Sequence, residues 1–144
     1  MKNTIVILLL VFIVATFSSC SKQISYTAYE ELIVNLEDMG FIVDTRGVEE
    51  SILAGERKWL TINENDNLSV YLYENSNKME EDAAYLSDDG FSYNNGKKAV
   101  EISWISYPHF FKVQNMIILY VGENLEIIHA LEELVGSQFA GHKK

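Results

Sequence analysis

The chain has 144 residues, of which 21 are acidic and 11 basic, for a formal net charge of −10. That balance, with no basic stripe, argues against DNA or RNA as a partner. It also argues against docking on anionic lipid heads by charge alone, and the spread of the acids fits a solvated surface.

Lys2 gives the N-terminus a positive charge, and Ile5 to Ala15 then reads IVILLLVFIVA without a polar break. A bilayer span needs about 20 apolar residues, so this run is too short to cross and fits the apolar core of an export signal. The stretch Phe17-Ser18-Ser19-Cys20 resembles the lipobox of bacterial lipoproteins, with Phe17 standing where leucine is usual. That resemblance implies a signal peptide over 1–19, a diacylglyceryl group on Cys20 and an address on the extracytoplasmic side of the cell membrane or outer membrane. The cysteine count agrees. Cys20 is the only cysteine, so it has no disulfide partner, and a lone thiol is a liability in an oxidising compartment. Two acyl chains anchor stably where one binds only marginally.

Removal of 1–19 leaves 125 residues with 10 bases and 21 acids, a size suited to one domain. Residues 20–25 then serve as anchor and tether, and 26–144 as the folded body. Fully extended, Ser21 to Ser25 reach about 17 Å, which keeps that body close to the bilayer.

Thr27 and Glu30 have the spacing of a capping box. Tyr29, Leu32, Ile33 and Leu36 follow at helical spacing, and Gly40 can end a helix over 27–39. Phe41 to Thr45 reads as a strand. Lys58–Ile62 and Leu68–Leu72 alternate, with Leu60 and Ile62 on one face and Tyr71 and Tyr73 opposite Leu68, Val70 and Leu72. The Asn63–Asn67 stretch between them predicts a β-hairpin.

Asn77 and Glu80 fit the start of a second helix that turns Met79, Ala83 and Leu86 inward. Asp88-Asp89-Gly90 and Asn95-Gly96 mark turns. Val100, Ile102 and Trp104 alternate as a strand, Phe111 and Val113 continue past Pro108, and Gln114-Asn115 fits a tight turn. Met116–Val121 (MIILYV) is an apolar run expected of a strand covered on both faces. Leu125, Ile128, Leu131 and Val135 space a third helix that stops at Gly136. The order α-β-β-β-α-β-β-β-α predicts the α+β class: a single antiparallel sheet of five to six strands with helices on one face.

No phosphate loop, dinucleotide fingerprint, HExxH or CxxC occurs, so no cofactor is implied. His109, His129 and His142 are the histidines, the last in a tail expected to fray. His129 and Glu133 share a helix face, but a metal needs three or four converging ligands, and the pair reads as an ordinary helix pair. Asn63–Asn67 and Asp88-Asp89 offer oxygen ligands without the spacing of a Ca²⁺ loop. They read as turns.

Tyr107-Pro108-His109-Phe110-Phe111 is the most unusual segment. Proline marks an edge, a bulge or a strand start, and the aromatics read as core ahead of surface patch. Trp104, Tyr107, His109 and Phe110 are the candidate surface for a small ligand or an envelope protein. No catalytic residue is nominated, since nothing by spacing ties a nucleophile or acid to His109.

The C-terminal third resembles a group of small bacterial lipoproteins. The likeness rests on Trp104, Pro108-His109-Phe110-Phe111-Lys112, Leu119-Tyr120-Val121-Gly122 and Gln138-Phe139-Ala140-Gly141. It implies a lipoprotein and carries over no functional residue. The expected function is a lipid-anchored, non-enzymatic binding or assembly module. The alternatives are a hydrolase using His109 and a Ca²⁺-binding module.

Overall fold

The computed structural model describes residues 23–48 and 50–143, so Cys20 and the leader lie outside the described residues. Within them the chain runs α1 (Thr27–Asp38), β1 (Val43–Gly47), β2 (Glu56–Ile62), β3 (Asp66–Leu72) and α2 (Ser76–Ala83). It continues through β4 (Ser92–Asn94), β5 (Ala99–Glu101), β6 (Pro108–Val113), β7 (Met116–Val121), α3 (Leu125–Val135) and β8 (Ala140–Gly141). The class is α+β. The predicted order of helices and strands holds, with the short β4 and β8 as additions.

Six strands form one antiparallel sheet in the order β1-β2-β3-β7-β6-β8, while β4 and β5 make a separate hairpin. The apolar run of β7 lies inside the sheet, between β3 and β6. Its period-2 alternation sends Met116, Ile118 and Tyr120 to one face, and Ile117 and Leu119 to the other. Both sets are buried, so both faces need cover.

α1 and α3 cover the first face with Leu32, Leu36, Ile127 and Leu131, packed on Leu60, Val70 and Ile118. α2 and the β4–β5 hairpin cover the second with Met79, Ala83 and Tyr93, packed on Tyr71, Phe110 and Ile117. The helices therefore do not share one face as expected; a strand apolar on both sides cannot leave one side to solvent.

The local signals differ in detail. Thr27 is already the first helical residue, so Tyr26 occupies the cap position and the expected capping box does not form. In the same way Asn75, rather than Asn77, caps α2 by accepting from Lys78 N at 3.0 Å. Asn124 caps α3, and Gly136 ends it at a positive φ of 91°. Leu125, the first of the residues read at helical spacing, is exposed at the start of that helix. The β2–β3 loop pairs Ile62 with Asp66 and needs a positive φ at Asn63 and Glu64. Pro108 opens β6, where its missing N–H costs no ladder bond.

The tail does not fray at His142. Phe139 N donates to Phe110 O, Gly141 N to Asp88 O and His142 N to Pro108 O, which fixes β8 along β6. The chain enters at the other end of the strands. Asn115, in the β6–β7 turn, donates from Nδ2 to Ser25 O at 3.0 Å. No helix of the described residues is long and apolar enough to cross a membrane.

Candidate functional site

The four nominated surface residues do not form one surface. Phe110 is buried in the second core against Trp104, whose Nε1 donates to Gly90 O at 2.9 Å. Trp104 lies beyond β5, so the strand read through Val100 and Trp104 stops at Glu101. His109 faces the opposite side of the sheet. Tyr107 alone is exposed, with its ring stacked on His142 at 3.9 Å between centroids. The core reading of the aromatics holds for Phe110 and Phe111.

His109 is 3% exposed and stacks on Tyr120. Its Nδ1 meets Gln138 Oε1 at 2.8 Å, and its Nε2 meets Gly122 O at 3.1 Å. Gln138 in turn donates from Nε2 to His142 O at 2.6 Å. Both ring nitrogens thus lie buried against carbonyl oxygens of the fold, one at the β7 exit and one in the C-terminal segment, and neither is open to a substrate. A general base needs a nitrogen free to reach a substrate proton.

His129 and His142 line, with His109, one cavity of 520 Å³ whose wall also holds Glu132 and Gln138. Three histidines distant in sequence share one wall, which no local spacing could reveal. Among the described residues no three His, Cys, Asp or Glu gather closely enough to hold a metal ion. His129 and Glu133 also line a second, shallower cavity beside Phe41 and Asn63.

The oxygen-rich turns are occupied by the fold itself. Asn63 Oδ1 accepts Ile42 N at 2.8 Å. Asp66 accepts from Tyr120 Oη at 2.7 Å and from Asn124 Nδ2 at 3.1 Å. Burial, reinforced by the bond to Asp66, pushes the Tyr120 hydroxyl up to about 12. Asp89 accepts from Ser87 Oγ and Phe91 N, and these bonds hold its carboxyl below the usual carboxylate range.

The best-built polar cluster was not singled out in the sequence. Asp82, on the inner face of α2, is 4% exposed. Its Oδ2 accepts from Tyr73 Oη at 2.6 Å and from Ala54 N at 2.7 Å, and its Oδ1 from Tyr93 Oη at 2.7 Å. Asn95 Nδ2 then donates to Tyr93 Oη at 3.1 Å. Burial, and after it the Asp82 carboxylate, raise the Tyr73 hydroxyl far above its ordinary value and push Tyr93 up to about 12. One signal was available: Met79, Asp82, Ala83 and Leu86 follow helical spacing, which sets an acid in an apolar stripe.

Asp82 and Tyr73 form part of the wall of a cavity of 430 Å³, with Ile24, Glu56, Lys78 and Tyr85. Lys78 Nζ donates to Glu81 at 3.1 Å. Glu56 accepts from Tyr26 Oη and pairs with Lys58 at 2.7 Å. Chemically, Asp82 here is a hydrogen-bond hub that ties β3, β4, α2 and the Ala54 loop together.

A third feature lies on the sheet face beyond the reach of α2. The chain's two arginines, Arg46 on β1 and Arg57 on β2, both approach the Trp59 ring, with Cζ at 5.1 and 5.0 Å from its centroid. Trp59 Nε1 donates to Asn67 Oδ1 at 2.8 Å. Arg57 is held by Ser69 Oγ and Glu50 O, whereas Arg46 stands on the exposed edge strand. Compared with protein-family models, curated proteins and solved structures, the chain finds no match in any of the three.

Proposed function

We propose that this chain is a lipid-anchored cell-envelope protein that works as a non-enzymatic binding module. Lipid on Cys20 holds it at the extracytoplasmic face, and the end remote from the anchor meets an envelope partner. The observation that carries this reading is the polarity of the domain. Ser25 is fixed at the β6–β7 turn. The loops beyond the opposite ends of those strands, tied by the Gly122 N to Tyr107 O bond, expose Ile105 fully and Tyr107 and Leu125 by somewhat under half. Exposed apolar side chains gathered at one end mark contact surfaces.

Commitment of the buried acid–base groups to the fold supports a binding role ahead of the hydrolase alternative. The Ca²⁺-module reading draws less support, because Asn63 and Asp66 are spent on backbone and side-chain bonds of the fold. A melting temperature that rises on adding millimolar calcium would revive it.

Two experiments test the proposal. Cys20→Ala should shift the protein from the membrane to the soluble fraction; retention on membranes after a carbonate wash defeats the anchor. A photo-crosslinking residue at position 105 should capture a defined envelope component, and Leu125→Asp should abolish that adduct without lowering the melting temperature. Adducts from position 133 but none from position 105 would overturn the distal contact.

A further inference from the structure

Among the described residues β1 forms one edge of the sheet, paired with β2 on one side only. The direction of its main-chain groups follows from Ile42. Asn63 N donates to Ile42 O at 2.9 Å, and Ile42 N donates to Asn63 Oδ1 at 2.8 Å. Ile42 therefore turns both its groups toward β2. Such groups alternate along a strand, so Val43, Thr45 and Gly47 present their N–H and C=O to the open edge. Unpaired edges are templates for strand addition.

The side chains follow the same alternation. Ile42, Asp44 and Arg46 share the face that carries Trp59, since Arg46 lies directly across from Trp59. Ile42 is 63% exposed there. We propose that β1 pairs antiparallel with β1 of a second copy, about a two-fold axis through Thr45.

In that register each Asp44 faces the second copy's Arg46, and each Arg46 the second copy's Asp44. One step further out, each Ile42 faces the second copy's Val48, so the exposed apolar side chain is covered. The pattern Ile-x-Asp-x-Arg-x-Val reads as its own complement when reversed, which is the requirement of an isologous interface. Registers centred on Asp44 or Arg46 set like charges face to face, which disfavours them. The second copy is favoured over an unrelated strand because the complementarity runs in both directions. The axis stands perpendicular to the sheet, so both copies turn the same face the same way.

Thr45 presents outward-pointing main-chain groups, so the two Thr45 residues would form a hydrogen-bonded pair with Cα atoms about 5.5 Å apart. That separation lies inside the range of a disulfide. The test uses the full chain purified in detergent. Thr45→Cys should form a covalent dimer under mild oxidant well above the background of the parent chain, and about tenfold faster than Glu133→Cys, given the preset geometry.

Asp44→Arg or Arg46→Asp alone should slow crosslinking from position 45 about tenfold, and the double swap should restore it. Melting curves confirm that each variant is folded. Crosslinking from position 45 no faster than from position 133 overturns the proposal. So does a double swap that fails to restore it. Edge charges can also serve to hold sheets apart; that reading predicts a parent chain in which crosslinking from position 45 stays at the level of position 133, which overturns the proposal.

Discussion

Asp82 sets the energetics of the second core at the scale of single residues. Removing its carboxylate leaves two tyrosine hydroxyls and one main-chain N–H without an acceptor. Asp82→Ala should therefore lower stability by about 2–4 kcal/mol, read from the midpoint of urea unfolding at unchanged slope. The tyrosines also give the protein an alkaline limit. Tyr93 and Tyr120 are pushed from 10.0 up to about 12, and Tyr73 further still, so the folded state favours their neutral forms. Their contribution is complete below their ordinary value of 10.0 and is lost as pH rises toward about 12. Base titration should show tyrosinate absorbance from these three appearing together with the loss of the folded circular-dichroism signal. Their ionisation well before unfolding would contradict the network. The acid on the apolar stripe of α2 was legible as a residue type out of place. Its two tyrosine partners were not, because one follows β3 and the other lies in β4, and they meet only when the sheet and the β4–β5 hairpin close around α2.

Among the elements, the β6–β8 contact is the most exacting. Gly141 has a positive φ of 102°, and a Cβ there would press into the Pro108 carbonyl. Gly141→Ala should cost about 2 kcal/mol or more, since an L side chain is strained in that conformation and has no room. Hydrogen exchange at Phe139, Gly141 and His142 should speed up with it; unchanged protection would refute the contact. The β2–β3 and β6–β7 hairpins and the helices were readable from alternation and spacing, because each is decided by residues within a few positions, whereas β4 was not. The strand β8 was not, for two residues carry no period and owe their conformation to β6. The same holds for the helix starts. Thr27 and Asn77 both looked like caps, yet the cap positions fall at Tyr26 and at Asn75, whose side chain accepts from Lys78 N.

For the whole molecule, the two-layered cover of the sheet follows from one run of six apolar residues. MIILYV announced a strand buried on both faces. Its consequence, a helix on each side, was available in principle and is what the structure adopts. The histidine-lined cavity could not have been read, because positions 109, 129 and 142 meet only through the closure of β8 and α3 onto β6. The proposed anchor is read from the leader, Cys20 and the C-terminal resemblance, independently of the fold.

The central place of β7 also has a consequence in time. β1, β2 and β3 are complete by residue 72, but the neighbour that closes them, β7, ends near residue 121. A chain emerging N-terminus first thus holds α1 and a three-stranded meander whose β3 edge lacks its partner until nearly fifty more residues follow. Loop closure of that length precedes the pairing of β3 with β7, so folding should run in milliseconds to seconds, the slow regime of non-local sheets. During that interval the open β3 edge makes the nascent chain a natural client for a holdase chaperone.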